Sequence, residues 1–250
     1  MKIVFLHIPK TAGSSVIAGI KSSFRPREIS PIRSHTQAEG SCFAEWSRYS
    51  VYAGHLDWMD LAEQPDPKFV FSILRDPKER VASFYFYLFK EAERLSQSDL
   101  ERPENAGKRA ILTMSADDYF LGGTGRWQVF VRDHYDNFYC SYFARRKFRA
   151  GADFHKLHDN ERIAQARAGL YELDYVCSME DLDQLENRLC AVTGKRVSFA
   201  SRSVNRGPMP RSQSRWEALC DRLGSDKAVS RLQAFTALDA LLFEEVSRTT

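Results

Sequence analysis

The sequence has no apolar run that approaches the roughly eighteen residues a membrane-spanning helix needs. Its five cysteines are an odd number with no close pairing and no metal-ligand spacing, which indicates a reducing compartment and excludes a small disulfide framework. The first residues already read as a strand, so we expect no cleaved signal peptide. Its 250 residues, with 43% apolar content and a mean hydropathy of −0.44, are typical of a soluble globular chain.

Net charge is also small. A formal charge of +3 at pH 7 gives no case for a nucleic-acid partner. Basic residues are concentrated in two stretches, 144–149 and 202–215, which could meet an acidic acceptor or the donor, or could form a solvated face. His155 and His158 have a spacing that two metal ligands could share, but no cysteine or acidic pattern completes a site, so we expect no metal.

The most informative stretch is at the start of the chain. An apolar run over residues 3–8 predicts a buried strand, which Pro9 ends because proline has no amide proton for a sheet. The turn Lys10-Thr-Ala-Gly-Ser-Ser15 then leads into apolar residues at helical spacing. A helix N-terminus presents amide protons and a partial positive charge, Lys10 adds a full charge, and Gly13 permits close approach of the backbone. The sequence therefore predicts an anion site.

The nucleotide-triphosphate loop G-x-x-x-x-G-K-[ST] is not present in this stretch, since here the lysine precedes the glycine. The segment His-Ile-Pro-Lys-Thr-Ala-Gly-Ser-Ser at 7–15 instead resembles the 5′-phosphosulfate loop of sulfotransferases. More narrowly, it is similar to carbohydrate sulfotransferases related to heparan sulfate 2-O-sulfotransferase. The resemblance implies that the donor 3′-phosphoadenosine 5′-phosphosulfate is bound by Lys10, Thr11, Ala12, Gly13, Ser14 and Ser15, and that Lys10 also acts in catalysis.

A second motif follows another predicted strand, residues 68–74. It reads Arg75-Asp-Pro-Lys-Glu-Arg-Val-Ala-Ser83 and enters an aromatic-rich helix. Arginine offers a planar fork suited to phosphate, and a residue eight positions later lies just over two helical turns away, roughly on the same side. In sulfotransferases, which this stretch resembles, an arginine and a serine at this spacing hold the 3′-phosphate of the donor. A helix-start turn with a salt bridge is the alternative explanation of Arg75-Asp-Pro.

A third predicted strand, 51–53, ends at Gly54-His55. The 2-O-sulfotransferase relatives have a His-Gly-His segment between the two donor motifs and use histidine as the catalytic base. Gly54-His55 matches the second half of that segment, and Ala53 replaces its first histidine. The resemblance implies that His55 is the base, and an unperturbed histidine, which titrates near 6.5, suits proton removal at neutral pH.

Other assignments around His55 stay open. His55 could instead be a strand-end residue that caps the next helix. Asp57 could accept the proton, orient His55, or cap a helix that begins at Trp58. His7, inside the first strand, is expected to be a buried neighbour of Lys10 rather than a catalytic group.

Later segments complete the prediction. Residues 171–178 read as a further strand, 179–194 as an amphipathic helix ending at Gly194, and about 227–246 as the final helix. The arginine-containing loop 201–212 resembles the late basic loop that closes over the nucleotide in sulfotransferases. That resemblance implies Asn205 and Arg206 as further donor ligands.

Together these patterns predict an α/β fold, P-loop-like and three-layered, with a central, mainly parallel sheet flanked by helices in a single domain over 1–250. The resemblance implies a sulfotransferase that moves a sulfuryl group by in-line displacement to an acceptor hydroxyl on a carbohydrate. A P-loop nucleotide kinase or other phosphotransferase, and a non-catalytic nucleotide-binding relative, stay open as alternatives. We expect no transmembrane segment and a cytoplasmic location, as in a bacterial relative, unless the chain is a trimmed luminal domain. The sequence indicates neither the acceptor's identity nor the oligomeric state.

Overall fold

The computed structural model describes residues 1–199 and 214–249. Its strands are β1 Lys2–Leu6, β2 Val51–Gly54, β3 Lys68–Leu74 and β4 Tyr175–Ser178. Its α-helices are α1 Gly13–Ser23, α2 Pro77–Glu93, α3 Gln97–Leu100, α4 Ala106–Thr113, α5 Ala116–Leu121, α6 Arg126–Tyr135, α7 Phe138–Arg145, α8 Ala152–His155, α9 Asp159–Leu170, α10 Leu182–Thr193, α11 Arg215–Cys220, α12 Asp226–Ala234 and α13 Ala237–Thr249.

The described residues form two compact units. The first unit contains residues 1–75, 139–199 and 241–249, and the second contains 76–138 and 214–240. Each unit has its own apolar core, the first around the sheet and the second among helices. The single-domain organisation expected from the sequence stays a prediction.

The first unit is built on a four-stranded, all-parallel sheet in the order β2-β1-β3-β4, flanked by helices. The register pairs Leu6 at the end of β1 with Gly54 at the end of β2, and Leu74 at the end of β3 with Ser178 at the end of β4. All four strands therefore end at one edge of the sheet. The predicted α/β fold with a parallel central sheet is confirmed.

Both faces of this sheet are buried, which explains why its strands read as continuous apolar runs. One face carries Ile3 and Phe5 of β1 and packs in one cluster with Val16 and Ile20 of α1 and with Leu185 and Leu189 of α10. The opposite face carries residues that are also buried, namely Val4, Leu6, Val70 and Leu74. A loop that follows such a strand is held by core packing on both sides.

The fourth strand is shorter than the sequence predicted. β4 begins at Tyr175, because α9 continues to Leu170 and the next residues form a turn. Asp174 closes that turn against β3: its amide donates to the carbonyl of Val70 at 2.9 Å, and its carboxylate accepts from the amide of Val70 at 2.7 Å.

The second unit is helical in its described part. Val81, Phe84 and Tyr85 of α2 are buried in its core, as their helical spacing predicts. They are joined there by apolar residues of the other helices, including Ile111, Tyr119, Phe120, Val131, Tyr135, Leu219 and Leu232.

The predicted final helix is two helices. α12 ends at Ala234 and α13 begins at Ala237. Asn137 separates them: its side chain donates to the carbonyl of Ala234 at 3.0 Å and accepts from the amides of Leu238 and Asp239 at 2.8 and 3.2 Å. A buried amide that satisfies both helix ends favours a break that helical periodicity alone does not reveal.

All five cysteines lie within the described residues, and none of them forms a disulfide bond. Within the described residues, no helix is long and apolar enough to cross a membrane.

Candidate functional site

The turn between β1 and α1 is a tight bend that leads directly into a helix N-terminus. Lys10 and Ala12 both have left-handed backbone angles, with φ of 74° and 63°. Such angles are strained in residues other than glycine, and strain of this kind is found at ligand-binding loops. α1 begins at Gly13. The positive end of its dipole and the amides of its first turn give this bend the backbone geometry that favours an anion.

The six residues predicted to bind the donor in this turn differ in exposure. Thr11 is fully buried and its hydroxyl donates to the carbonyl of Ile8 at 2.9 Å, which fixes the bend from inside. The hydroxyl proton of Thr11 is therefore already used inside the turn. Ser14 is exposed, Gly13 is buried, and Lys10, Ala12 and Ser15 are partly buried.

Gly13 packs against the side chain of His7. A Cβ atom at position 13 would lie 1.9 Å from Nε2 of His7, so only glycine fits against that ring. β1 ends at Leu6, one residue before His7, and the His7 amide still donates to the carbonyl of Gly54 at 2.9 Å. His7 is therefore buried beneath the turn, as expected, but it follows β1 rather than lying inside it, because the strand ends two residues earlier than predicted.

His55 occupies the matching position after β2. Its amide donates to the carbonyl of Arg33 at 2.8 Å, and its carbonyl accepts from the amide of His35 at 2.7 Å. The chain near Arg33 approaches so closely that a Cβ on Gly54 would lie 2.4 Å from the Arg33 carbonyl oxygen. Because position 54 is glycine, the segment from Arg33 to His35 can lie beside β2 and bond to the backbone of His55.

The ring of His55 is held by His7. Its Nδ1 lies 2.7 Å from the backbone carbonyl of His7, and the two rings stack at a centroid distance of 4.4 Å. A carbonyl oxygen only accepts, so Nδ1 carries the proton and, in the neutral ring, Nε2 has the free electron pair. Burial lowers the pKa of His55 and nearby His35 lowers it further, while the bond to His7 opposes them only in part. His55 is therefore neutral near pH 7, with Nε2 as its basic atom.

Phe148 and His35 complete the surroundings of this ring. Phe148 packs edge-on against His55 at 5.2 Å between centroids and stacks on His35 at 5.1 Å. Both ring nitrogens of His35 are buried, and neither has a hydrogen-bond partner in the described part of the chain. Among those residues no group of three or more His, Cys, Asp or Glu side chains is arranged to hold a metal ion.

Asp57 is bonded to a distant part of the chain. Its carboxylate accepts from the amide of Phe148 at 2.8 Å, and no helix begins at Trp58. The helix-cap assignments of Asp57 and His55 are therefore wrong, because residues 56–58 have no regular secondary structure and a turn follows them. Asp57 holds the backbone of Phe148, whose ring packs against His55. The carbonyl of His7 orients the His55 ring.

Arg75 lies directly after β3, at the same edge of the sheet. Its backbone is held by the buried hydroxyl of Tyr139, which accepts from the Arg75 amide at 3.1 Å and donates to the Arg75 carbonyl at 2.8 Å. The Arg75 side chain is partly buried. The first unit thus brings Arg75, His55 and the β1–α1 turn to the ends of three adjacent strands.

The other predicted donor ligands, Ser83, Asn205 and Arg206, stay predictions. Ser83 is a partly buried residue of α2 in the second unit. Asn205 and Arg206 lie outside the described residues, as does most of the basic stretch 202–215.

The basic stretch 144–149 has an internal role in part. Arg146 forms an ion pair with Glu172 and lies over the ring of Trp58, and Arg145 lies over the ring of Phe154. Phe148, between the cations Lys147 and Arg149, reaches His55. Sequence reasoning missed Phe148 and Tyr139, and no local signal marks either, because each acts on a residue far away along the chain.

A cavity of about 340 Å³ lies elsewhere, lined in part by Met1, Lys2, Trp46 and Pro67. These residues adjoin the first residues of β1 and β3, at the edge opposite the strand ends that carry His55. The ammonium group of Lys2 already donates to the carbonyl of Trp46 at 2.6 Å. This cavity is therefore separate from the candidate site.

Comparison with known proteins identifies no family for this chain. No protein-family model matches the chain, and no curated protein matches it. Function is therefore inferred from the motifs and from the geometry of the strand ends.

Proposed function

We propose that this protein is a sulfotransferase that moves a sulfuryl group from 3′-phosphoadenosine 5′-phosphosulfate to an acceptor hydroxyl. The observation that carries the proposal is the contact of His7 with both Gly13 and His55. Through this contact the proposed anion-binding turn lies near a neutral histidine of fixed orientation. Sulfuryl transfer needs an anion site for the donor and a base for the acceptor close together.

The turn supplies the donor side of the reaction. Lys10 offers a full positive charge, and the amides at the start of α1 offer directed donors, a combination suited to a phosphosulfate. Gly13 lets the start of α1 lie directly against the His7 ring. Arg75 follows β3 with its main chain fixed by Tyr139, and its guanidinium suits the 3′-phosphate. Ser83, Asn205 and Arg206 remain proposed ligands of the same phosphate, on the resemblance.

His55 supplies the base. The bound donor provides a sulfur atom whose bond to the 5′-phosphate oxygen breaks as the acceptor oxygen bonds to it. His55 takes the proton of that acceptor hydroxyl onto Nε2, because its Nδ1 proton is already held by the carbonyl of His7. Lys10 and the amides of the turn offset the negative charge left on the 5′-phosphate. A carbohydrate as acceptor rests on the family resemblance.

The experiment is a paired transfer assay. The chain is incubated with ³⁵S-labelled donor and hydroxyl compounds that span monosaccharides, polysaccharides and tyrosine peptides, and labelled product and free 3′-phosphoadenosine 5′-phosphate are measured together. We expect both in equal amounts for one acceptor class, and we expect His55→Ala to abolish them while it still binds the bisphosphate.

Two other results would overturn the proposal. Phosphate transfer from magnesium ATP without transfer of label would identify a phosphotransferase. Bisphosphate binding with no transfer to any acceptor would identify a non-catalytic nucleotide-binding protein.

A further inference from the structure

A column of stacked rings runs from the sheet core to the candidate base. Phe71 of β3 stacks on Phe5 of β1 at 4.8 Å between centroids, and Phe5 stacks on His7 at 5.3 Å. His7 stacks in turn on His55 at 4.4 Å, with 25° between the ring planes. His55 is thus the last ring of a column that begins in the core.

His7 is the ring of this column that also contacts the anion-binding turn. It is 9% exposed, and its Nε2 lies 1.9 Å from the position that a Cβ on Gly13 would take. A movement of the first residue of α1 therefore presses on the His7 ring, and a movement of His7 changes the surface on which His55 rests.

His7 holds His55 in two separable ways. Its backbone carbonyl accepts from Nδ1 of His55 and selects the tautomer, and its side chain supports the plane of the ring. A substitution at position 7 keeps the carbonyl and removes or alters the ring. The contribution of the side chain can therefore be measured by itself.

We propose that the His7 side chain is a positioning residue, which aligns His55 for proton removal and couples that alignment to the turn at Gly13. This inference rests on the proposed function. His7 acts as a neutral ring rather than as a second base, because burial, His55 and Lys10 all lower its pKa far below the usual value. The titratable groups that face the pair are Lys10 from the turn and His35 from the segment beside β2.

Two substitutions at position 7 distinguish the effect of the planar ring from the effect of side-chain volume. His7→Phe keeps a planar ring in the column, and His7→Leu keeps apolar volume without one. His158→Ala is the matched control, since His158 is exposed at the start of α9. Urea unfolding establishes first that each variant is folded.

The first readout is ¹⁵N NMR of histidine-labelled protein, with no nucleotide present. In the wild type and in His7→Phe we expect the Nδ1–H tautomer of His55 and a pKa below the usual value. In His7→Leu we expect the same Nδ1–H tautomer, because the backbone carbonyl is retained, and a pKa that moves up towards the usual value, because water reaches the unsupported ring. An unchanged His55 pKa in His7→Leu would overturn the inference, and so would an Nε2–H tautomer in the wild type.

The second readout is kcat with the labelled donor. His7→Leu should lower kcat by about a hundredfold with a smaller effect on the KM for the donor, the scale expected of a misplaced catalytic group. His7→Phe should stay within about tenfold of the wild type, since the ring is retained. Equal kcat in the two variants would contradict the inference. Failure of the wild type to bind the bisphosphate would overturn only the proposed function, since the NMR result decides the role of His7 without a ligand.

Discussion

The hydroxyl of Tyr139 bonds to both backbone groups of Arg75, accepting from its amide and donating to its carbonyl. Tyr139 is fully buried, so removal of its oxygen leaves two backbone groups without this partner. We predict that Tyr139→Phe lowers the free energy of unfolding by about 1–3 kcal/mol and weakens binding of 3′-phosphoadenosine 5′-phosphate. Urea unfolding and calorimetric titration measure the two effects.

Tyr142→Phe is the control for that prediction. Tyr142 is also a buried residue of α7, and its hydroxyl donates to the carbonyl of Leu56 at 2.8 Å. It should lose comparable stability and keep the affinity for the bisphosphate. Equal affinity in both variants would show that the anchoring of Arg75 does not matter for the nucleotide.

Gly13→Ala should be strongly unfavourable. The new Cβ would lie 1.9 Å from Nε2 of His7, so the ring or the turn must move. We expect the free energy of unfolding to fall by about 1–3 kcal/mol, as for other overpacked sites, together with a loss of bisphosphate affinity.

Gly107→Ala provides the comparison. Position 107 lies in α4, where the nearest atoms to an added Cβ are 3.8 Å or more away. That variant should be stabilised by up to about 1 kcal/mol, since alanine is the better helix former. A Gly13→Ala variant that matched it in denaturant midpoint would refute the close contact with His7.

Stability should fall as the pH drops below the usual histidine pKa. His7 and His55 both have a lowered pKa in the folded chain, mainly through burial. Below about pH 6.5 the unfolded chain therefore binds more protons than the folded chain, and each histidine removes up to about 1.4 kcal/mol per pH unit until its folded pKa is reached. Above that window neither group contributes.

Urea unfolding at pH 7.5 and 5.5 measures this loss. It should be smaller in His7→Phe, which lacks one of the two groups, and unchanged in His158→Ala, which removes an exposed histidine. The same loss in His7→Phe as in the wild type would mean that His7 is not a source of the pH dependence.

Asn137 should be essential to the helix pair that ends the second unit. It bonds to the last carbonyl of α12 and to two amides of the first turn of α13. We predict that Asn137→Ala lowers the free energy of unfolding by about 2 kcal/mol or more, because buried helix ends lose their partners. Asn137→Asp keeps the accepting oxygen and should lose less, and chemical denaturation that ranks the two variants in the opposite order would contradict this role.

Local signals explain what could be predicted from the sequence. The bounds of β3 were predicted to the residue, because an apolar run is bounded there by Lys68 and by Arg75-Asp-Pro. The β1–turn–α1 order followed from Pro9 and the small residues after it.

Contacts between distant parts of the chain explain what was missed. Tyr139 lies 64 residues from Arg75, and Phe148 lies 91 residues from the Asp57 that fixes it. The break between α12 and α13 depends on Asn137, about a hundred residues earlier. No local periodicity encodes such a pairing, because it depends on which elements the fold brings together.

The most direct test of the central claim is thermal stabilisation by 3′-phosphoadenosine 5′-phosphate in EDTA, measured beside ATP with magnesium. At about a hundred times its dissociation constant, a ligand of the native state adds about 2.7 kcal/mol. For a chain of this size each kcal/mol raises Tm by about 2–4 °C, so the shift should be several degrees. We predict this shift with the bisphosphate in EDTA and none with ATP. A shift with magnesium ATP and none with the bisphosphate would contradict the sulfotransferase assignment and indicate phosphoryl transfer.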